Sequence, residues 1–361
     1  MQKAKRYSSI KYSLEIFGTI YLVGLLIIFL AFGFSQRFSE IIRAINPRQY
    51  FVLPAYLLGI FLIYSLLNFP LIFYRSYVIE HRFSLSTQNI KDWFLDQFKT
   101  GIIGYIIVLI LLGAFYYIVQ HAPVTWWLIV SIFWIFFSVI LARITPVLII
   151  PLFFKYKKMT DSSLKGRILA LAEKMKVKIL DVFEIDFSSK TLKANAAFVG
   201  IGKTRRVILA DTLKDKYTDE EIEVILAHEL AHYKYRHLLK MLLLNFCATA
   251  ICLYLVYKTA GFSLAFFALR SLGDVASLPL VILYFVISGI ILQPLENYLS
   301  RIMEKNADIL ALKTVGNKNA FITMMEKLAS QNLADRTPHP LIKFFFFDHP
   351  PVDERIKLAE V

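Results

Sequence analysis

Cysteine and negative charge are both scarce in this sequence of 361 residues. Its two cysteines, Cys247 and Cys252, lie within one apolar run, which excludes a disulfide framework and a cysteine-rich zinc module. Acidic residues number 27 against 41 lysines and arginines, so the formal net charge is 41 − 27 = +14.

Hydrophobic residues are abundant instead, at 57% of the chain, with 31 phenylalanines and a mean hydropathy of +0.56. Ordinary soluble domains have roughly 45–50%, so a soluble protein of this composition would need an unusually large core. A soluble nucleic-acid-binding protein of charge +14 would not carry so much apolar surface. We therefore predict a multi-pass protein of the lipid bilayer with its basic residues in loops on one side and no nucleic-acid partner.

Six apolar stretches are long enough to cross a bilayer, whose hydrocarbon core of about 30 Å needs roughly 20 residues of helix. They are residues 16–34, 51–74, 101–119, 126–154, 238–257 and 278–299. Residues 262–269 leave open a seventh, re-entrant or interfacial segment. The spans divide the chain into a membrane domain at 1–154, a polar segment at 155–237, two further spans at 238–299 and a polar tail at 300–361.

Basic residues predict the orientation of these spans. Lys3, Lys5, Arg6 and Lys11 precede the first span with no acidic residue among them, so we expect the amino terminus to stay in the cytoplasm. The polar segment and the polar tail then share the cytoplasmic side. The arginines between the first two spans would then lie outside. This departs from the rule that basic residues stay on the cytoplasmic side, but that rule is a statistical bias.

The polar segment at 155–237 has the pattern of a small α+β unit. Helical spacing of apolar residues predicts a helix at 162–176, and strands are predicted at 179–187, 196–201 and 205–210, the last two as a hairpin around Gly202 and Lys203. Thr218 and Glu221 have the spacing of a capping box, which marks the start of a helix. Neither proline nor glycine follows until Gly261, so this helix is predicted to continue directly into the fifth span.

The sequence His228-Glu229-Leu230-Ala231-His232 lies within this capped helix. Residues four apart share one helix face, so the two histidines can bind one Zn²⁺ while Glu229 acts on a water molecule as a general base. The alternative is a pair of ordinary surface histidines, because so short a pattern also occurs by chance.

A catalytic zinc needs a third protein ligand and an open fourth position. The metzincin pattern would place a histidine where the chain has Leu238, and His237 is expected to be an interfacial residue that faces elsewhere. A better candidate follows the sixth span, where Glu304 and Asp308 lie four apart on one predicted helix face. We predict that Glu304 binds the zinc and that Asp308 holds a ligand histidine through its other ring nitrogen. A solvated, charged helix end is the alternative.

Together these motifs resemble those of the type 1 CAAX prenyl proteases, which are integral membrane zinc endopeptidases. The similarity runs from about residue 51 to the end, in ordered blocks at residues 77–83 (YVIEHRF), 195–200 (NAAFVG), 205–237, 304–308 (EKNAD) and 349–355 (HPPVDER). It implies a predominantly α-helical multi-pass membrane protein with a small α+β, gluzincin-like zinc-protease domain. It also implies that the helices enclose an intramembrane chamber and that residues 77–83 form a loop.

The resemblance further implies roles for residues outside the metal motif. His349 would donate to the oxyanion formed during hydrolysis, with support from Arg355. Asn195 would hold the substrate backbone, beside an edge strand with Ala196 and Phe198 to which a peptide adds as a further strand. Ordinary loop and turn roles for His349 and Asn195 are the alternatives.

The activity implied is hydrolysis of peptide bonds near the carboxyl terminus of prenylated CAAX proteins, with one Zn²⁺ per chain. An alternative is a prokaryotic quality-control protease whose membrane-embedded substrates need no prenyl group. The active site would face the cytoplasm, from the inner or plasma membrane of a prokaryote or the endoplasmic reticulum membrane of a eukaryote. A transporter or channel is the alternative from another class, although no paired broken helices are evident. An inactive homologue is disfavoured because Glu229 is present.

Overall fold

The computed structural model describes residues 2–200 and 205–360, and most of them are helical. Six helical stretches are long and apolar enough to cross a membrane, in agreement with the predicted number: Gln2–Ala31, Gln49–Arg82, Ile90–His121, Trp126–Phe153, His237–Phe266 and Val275–Val315. Most extend beyond the predicted apolar runs, because polar residues at their ends continue the helix. Residues 262–266, left open above as part of a separate segment, are the last turn of the fifth stretch.

The α-helices of the described residues are numbered here in chain order. They are α1 (Gln2–Ala31), α2 (Phe34–Ile45), α3 (Gln49–Phe73), α4 (Ile79–Arg82), α5 (Ile90–His121), α6 (Trp126–Ile144), α7 (Ile150–Phe153), α8 (Ser162–Lys174), α9 (Asp211–Lys214), α10 (Asp219–Lys234), α11 (His237–Phe266), α12 (Leu278–Val315), α13 (Lys318–Gln331), α14 (Pro340–Phe346) and α15 (Val352–Glu360). One π-helical turn, Tyr74–Val78, joins α3 to α4, and another, Thr145–Ile149, joins α6 to α7.

Two segments differ from the sequence-based expectation. Residues 77–83 were expected to form a loop, but the π-helical turn and α4 continue α3 as far as Arg82. No glycine or proline interrupts residues 71–83, so nothing local ends the helix earlier. Between the first two spans the chain forms α2, whose buried face consists of Ser35, Ser39 and Ile42.

The polar segment contains a four-stranded sheet with the order β1-β2-β4-β3. The strands are β1 (Tyr156–Lys158), β2 (Asp181–Ile185), β3 (Ala196–Val199) and β4 (Arg206–Ala210). β3 and β4 pair antiparallel, as the predicted hairpin requires, while its turn at Gly202 and Lys203 lies outside the described residues. β1 was not predicted, because three residues are too few to show alternation. β3 lies at one edge of the sheet, so one side of its backbone is open to a partner strand.

A hydrophobic core beneath the sheet positions α10. It combines side chains that are at most 1% exposed from the sheet (Val182, Val207 and Leu209), α8 (Ile168), α10 (Leu226 and Leu230) and α13 (Phe321). The predicted capping box starts α10, since Thr218 Oγ1 accepts from the Glu221 N–H at 3.3 Å and Glu221 Oε2 accepts from the Thr218 N–H at 2.9 Å. Helix α10 therefore has a fixed start and a fixed buried face.

The predicted continuation of α10 into the fifth span is wrong. Helix α10 ends at Lys234, and α11 begins at His237. Between them Arg236 adopts a left-handed conformation with φ 55°, which an L-residue enters at a cost of about 1–2 kcal/mol. No glycine or proline marks this break, so composition could not reveal it.

Substitutions at Arg236 test this break, because its side chain is exposed and little packing is lost. We expect Arg236→Gly to leave the melting temperature in detergent unchanged or raise it, since glycine adopts positive φ without strain. Arg236→Val should lower it, because β-branched residues fit this region worst. The control is Glu326→Gly, at an exposed position in the interior of α13, which should cost about 1 kcal/mol. Equal destabilisation by both glycine variants would show that position 236 is not left-handed.

Candidate active site

Two histidines of α10 and one glutamate of α12 meet at a single point. The Nε2 atoms of His228 and His232 are 3.0 Å apart. Glu304 places Oε2 at 3.1 Å from His228 Nε2 and Oε1 at 3.2 Å from His232 Nε2. Within the part of the chain that is described, these three side chains form the one group of ligand-bearing residues whose atoms converge as a metal site requires.

Small buried residues bring the two helices close enough for this convergence. Ala227 and Ala231 of α10 and Ala307 and Ala311 of α12 are all 0% exposed and belong to one cluster. Each alanine of α10 directly precedes a ligand histidine in sequence. Because alanine allows close helix packing, the contact between α10 and α12 sets the distance between histidines and glutamate.

Asp308 controls the orientation of His228. Its Oδ1 accepts a hydrogen bond from His228 Nδ1 at 2.8 Å, which leaves Nε2 as the unprotonated atom that can bind a metal. Arg355, expected to support His349, holds Asp308, donating from Nε to Oδ2 at 2.8 Å and from Nη2 to Oδ1 at 2.7 Å. Burial opposes protonation of His228, but hydrogen bonds to Asp308 and Glu304 raise its pKa to about 9. A metal ion must therefore displace a proton here.

His237 supports the second histidine, so the expectation that it faces elsewhere is wrong. It is 3% exposed, and its Nδ1 lies 3.0 Å from Nδ1 of His232. On a continuous helix, residues five apart would point to different sides. The left-handed Arg236 turns His237 back toward His232. The contact between the two histidines therefore depends on the break between α10 and α11, which was not predicted.

Glu229 faces the edge strand. The backbone N–H of Phe198 in β3 lies near its carboxylate and acts to lower its pKa. Burial raises the pKa of Glu229, while the positive potential of His228 and His232 acts in the opposite direction. A carboxylate whose pKa is raised toward neutrality is a better general base than an exposed one.

His349 reaches the same site from the carboxyl-terminal loop. Its Nε2 lies 3.4 Å from Glu304 Oε1, and its Nδ1 lies 2.8 Å from Asp348 Oδ1. Partial burial lowers the pKa of His349, but the hydrogen bond to Asp348 and the charge of Glu304 outweigh it and raise the pKa. The ring is half exposed, at 51%, so it can meet a ligand from outside.

Helix α12 also holds the loop that carries His349. Arg301 donates to the carbonyl oxygens of Lys343 at 3.1 Å and Phe347 at 2.5 Å. Asn297 donates to the carbonyl oxygen of Phe345 at 2.6 Å. No sequence pattern indicates these contacts, because they join side chains to backbone atoms more than forty residues away.

The three residues expected to bind substrate lie at the open edge of the sheet. The N–H of Ala210 donates to the carbonyl of Asn195 at 3.1 Å, so Asn195 and Ala197 turn their backbone groups toward β4. Ala196 and Phe198 therefore turn theirs toward the open edge. Phe198 already meets Glu229 there, which brings the edge strand next to the metal-ligand cluster.

An apolar pocket of about 220 Å³ adjoins this edge strand. Its lining includes Ala197 of β3, Ile208 of β4, and Ile150 and Phe154 from the end of the fourth span. Asn195 is the most polar lining residue among the described residues, and no charged side chain lines the pocket there. The space suits an apolar group and disfavours a charged one.

The donor atoms fit a catalytic metal ion. Two imidazole nitrogens and one carboxylate are a common ligand set for zinc that leaves a fourth position open. Glu304 Oε2 is buried, and its contact with His228 Nε2 at 3.1 Å does not have the geometry of a regular hydrogen bond. A cation is the partner that such an acceptor lacks.

Comparisons with known proteins agree along nearly the whole chain. A family model described as CAAX prenyl protease N-terminal, five membrane helices, matches residues 1–155, and the model of peptidase family M48 matches residues 158–360. The uncharacterized metalloprotease YhfN of Bacillus subtilis is 30% identical, over 99% of this chain and 84% of the relative. CAAX prenyl protease 1 of Saccharomyces cerevisiae is 26% identical, over 98% and 84%. The crystal structure of S. mikatae Ste24p has the same fold, with a TM-score of 0.89 at 24% identity over 99% of this chain and 88% of that one.

Removal of the third donor tests the cluster. We expect Glu304→Ala to lose its metal, because two histidines alone bind zinc weakly. The measurement is the zinc content per chain, determined by elemental analysis after dialysis. The control, Glu296→Ala, removes an acid from the same helix two turns earlier and should keep the metal. A full zinc complement in Glu304→Ala would place the third ligand elsewhere.

Proposed function

The chain belongs to peptidase family M48, and on this premise we propose that it is a zinc endopeptidase of the membrane that cuts peptides bound along β3. The observation that carries the proposal is the convergence of His228, His232 and Glu304 beside Glu229. The family resemblance, the helical membrane fold and the metallopeptidase class expected from the sequence are confirmed. A transporter or channel is thereby disfavoured.

Each residue of the site has a separate role in hydrolysis. Zinc, when held by His228, His232 and Glu304, would supply a Lewis acid for the scissile carbonyl. Glu229 takes a proton from the attacking water and later delivers it to the leaving amine. His349 donates a hydrogen bond to the oxygen that gains negative charge.

The environment of each group suits its role. Asp308 and Arg355 keep His228 in the tautomer that exposes Nε2 as a ligand atom. The raised pKa of Glu229 strengthens it as a base, and the raised pKa of His349 keeps its ring a donor. The first shift favours proton transfer to Glu229, and the second favours hydrogen-bond donation by His349.

The substrate binds as an added strand. Its backbone pairs with the outward groups of Ala196 and Phe198, while the side-chain amide of Asn195 holds the backbone at the start of β3. Antiparallel partners share a face of the sheet, so a substrate residue opposite Ala197 places its side chain in the apolar pocket. The protease therefore prefers an apolar residue close to the cleaved bond.

The favoured substrates are prenylated CAAX proteins cut near their carboxyl terminus, with the lipid inside an intramembrane chamber. This class is supported by the relatives named CAAX prenyl protease 1 in Saccharomyces cerevisiae and CAAX prenyl protease 1 homolog in Arabidopsis thaliana. A second candidate is quality control of membrane-embedded proteins without a prenyl requirement. The relative at 30% identity comes from a bacterium and is named as a metalloprotease without a CAAX substrate, which is compatible with that alternative.

We place the active site on the cytoplasmic side. Lys193, just before β3, donates to the hydroxyl of Tyr7 at 3.0 Å, so the amino-terminal end of α1 lies on the same side as the catalytic residues. The basic residues before the first span favour the cytoplasm. The membrane is the inner or plasma membrane of a prokaryote, or the endoplasmic reticulum membrane of a eukaryote. This topology supports the division at residues 1–154, 155–237, 238–299 and 300–361.

The role of Glu229 is tested by Glu229→Gln. The amide keeps the shape of the side chain but cannot accept the proton, so we expect full zinc content with kcat lower by about 10²–10⁴-fold. Peptide cleavage and bound zinc are measured on the same preparation, with Glu220→Gln at the exposed start of α10 as control. Cleavage at the wild-type rate by zinc-loaded Glu229→Gln would contradict the assignment.

The substrate class is tested with paired peptides that end in the same four residues, one farnesylated on cysteine and one not. We expect zinc-dependent cleavage of the farnesylated peptide with a higher kcat/KM, and mass spectrometry locates the cut. Equal kcat/KM for the two peptides would favour quality control over CAAX processing.

A further inference from the structure

A cluster of four side chains joins the amino-terminal membrane domain to the segment just before β3. Glu80 of α4 binds Lys193 Nζ through Oε2 at 2.8 Å and Lys11 Nζ through Oε1 at 3.0 Å. Tyr7 donates from its hydroxyl to Glu80 Oε1 at 2.7 Å. We call Tyr7, Lys11, Glu80 and Lys193 the Glu80 cluster. The catalytic steps proposed above use none of these residues.

The membrane-domain side of the Glu80 cluster is firmly held. The Glu80 side chain is only 12% exposed, and its carbonyl oxygen accepts from the Leu85 N–H at 2.8 Å. Tyr7 packs against Phe83 with ring centroids 5.1 Å apart, in a cluster that includes Leu85. A carboxylate fixed in this way holds the lysine that it binds at a defined position.

The other side of the Glu80 cluster is the approach to the edge strand. Lys193 lies two residues before Asn195, and its carbonyl oxygen accepts from Thr212 Oγ1 at 2.8 Å. The next residue, Ala194, donates its N–H to Asn332 Oδ1 at 3.0 Å. β3 has four residues and pairs on one side only, so its placement depends strongly on how this approach is held.

We propose that the ion pair between Glu80 and Lys193 is a positioning element for substrate binding, which fixes β3 against Glu229. The proposal rests on the proposed function, because it concerns how the substrate strand is aligned. Partly buried ion pairs hold their geometry better than exposed ones, and removal of one partner leaves the other uncompensated. Main-chain hydrogen bonds to an added strand supply its affinity, so a displaced β3 binds the peptide more weakly while Glu229 keeps its place on α10.

The test uses Glu80→Gln, Lys193→Gln and the double variant in the full-length protein. We expect each single variant to raise KM for a cleaved peptide by about 10-fold with kcat nearly unchanged, because binding is lost and chemistry is not. The zinc content should stay at one per chain. The double variant should be no worse than either single variant, because both remove the same interaction.

Glu15→Gln is the matched control. It removes an ion pair between α1 and the end of the second span, Glu15 with Arg75 at 3.3 Å, whose side chains are 47% and 43% exposed. This variant should keep the wild-type KM. A purely structural role for Glu80 would lower the melting temperature and zinc content and reduce kcat together with binding.

Three results would overturn the proposal: an unchanged KM in Glu80→Gln, additive effects in the double variant, or loss of zinc. If Glu80→Gln does not fold, KM is measured for Lys193→Gln in its place, because the partly exposed side chain of Lys193 is easier to replace. A wild-type protein without zinc-dependent cleavage would contradict the proposed function instead. In that case the role of the ion pair is tested by the affinity for a labelled peptide, measured by fluorescence anisotropy. We expect a 10-fold weaker affinity for Glu80→Gln.

Discussion

The site depends on the packing of α10 against α12 over four buried alanines. His228 and Asp308, which are 80 residues apart in sequence, come within hydrogen-bond distance only because these helices approach closely. The same contact brings Glu304 to both histidines. One helix therefore presents the histidine pair and Glu229, while the other presents the third donor, the aspartate that orients His228, and the arginine that holds the loop of His349.

Around that contact lie the edge strand that we propose binds the substrate, Glu229, and the end of a membrane helix. The edge strand meets Glu229 at the N–H of Phe198, and residues at the end of the fourth span line part of the pocket beside Ala197. The apolar composition therefore does more than anchor the protein, since a membrane helix supplies part of the wall next to the substrate strand. This arrangement suits a chain that reaches the site from the bilayer.

Local patterns predicted much of this, and distant contacts did not follow from them. The spacing of His228 and His232, the capping box at Thr218 and the pair Glu304 and Asp308 are all readable within one helix turn or two. The helix break at Arg236 carries no glycine, so it was missed, and with it the contact between His237 and His232. Contacts such as that between Glu80 and Lys193 join residues that are far apart in the sequence, and no local pattern predicts which of them meet.

The central claim is that one zinc ion is held by His228, His232 and Glu304. The most direct measurement is an anomalous difference map from crystals of the purified protein, recorded on both sides of the zinc absorption edge. The account predicts a single peak that lies about 2.0–2.2 Å from Nε2 of both histidines and from a carboxylate oxygen of Glu304. A zinc peak at any other position, or none in protein that cleaves peptide, would contradict it.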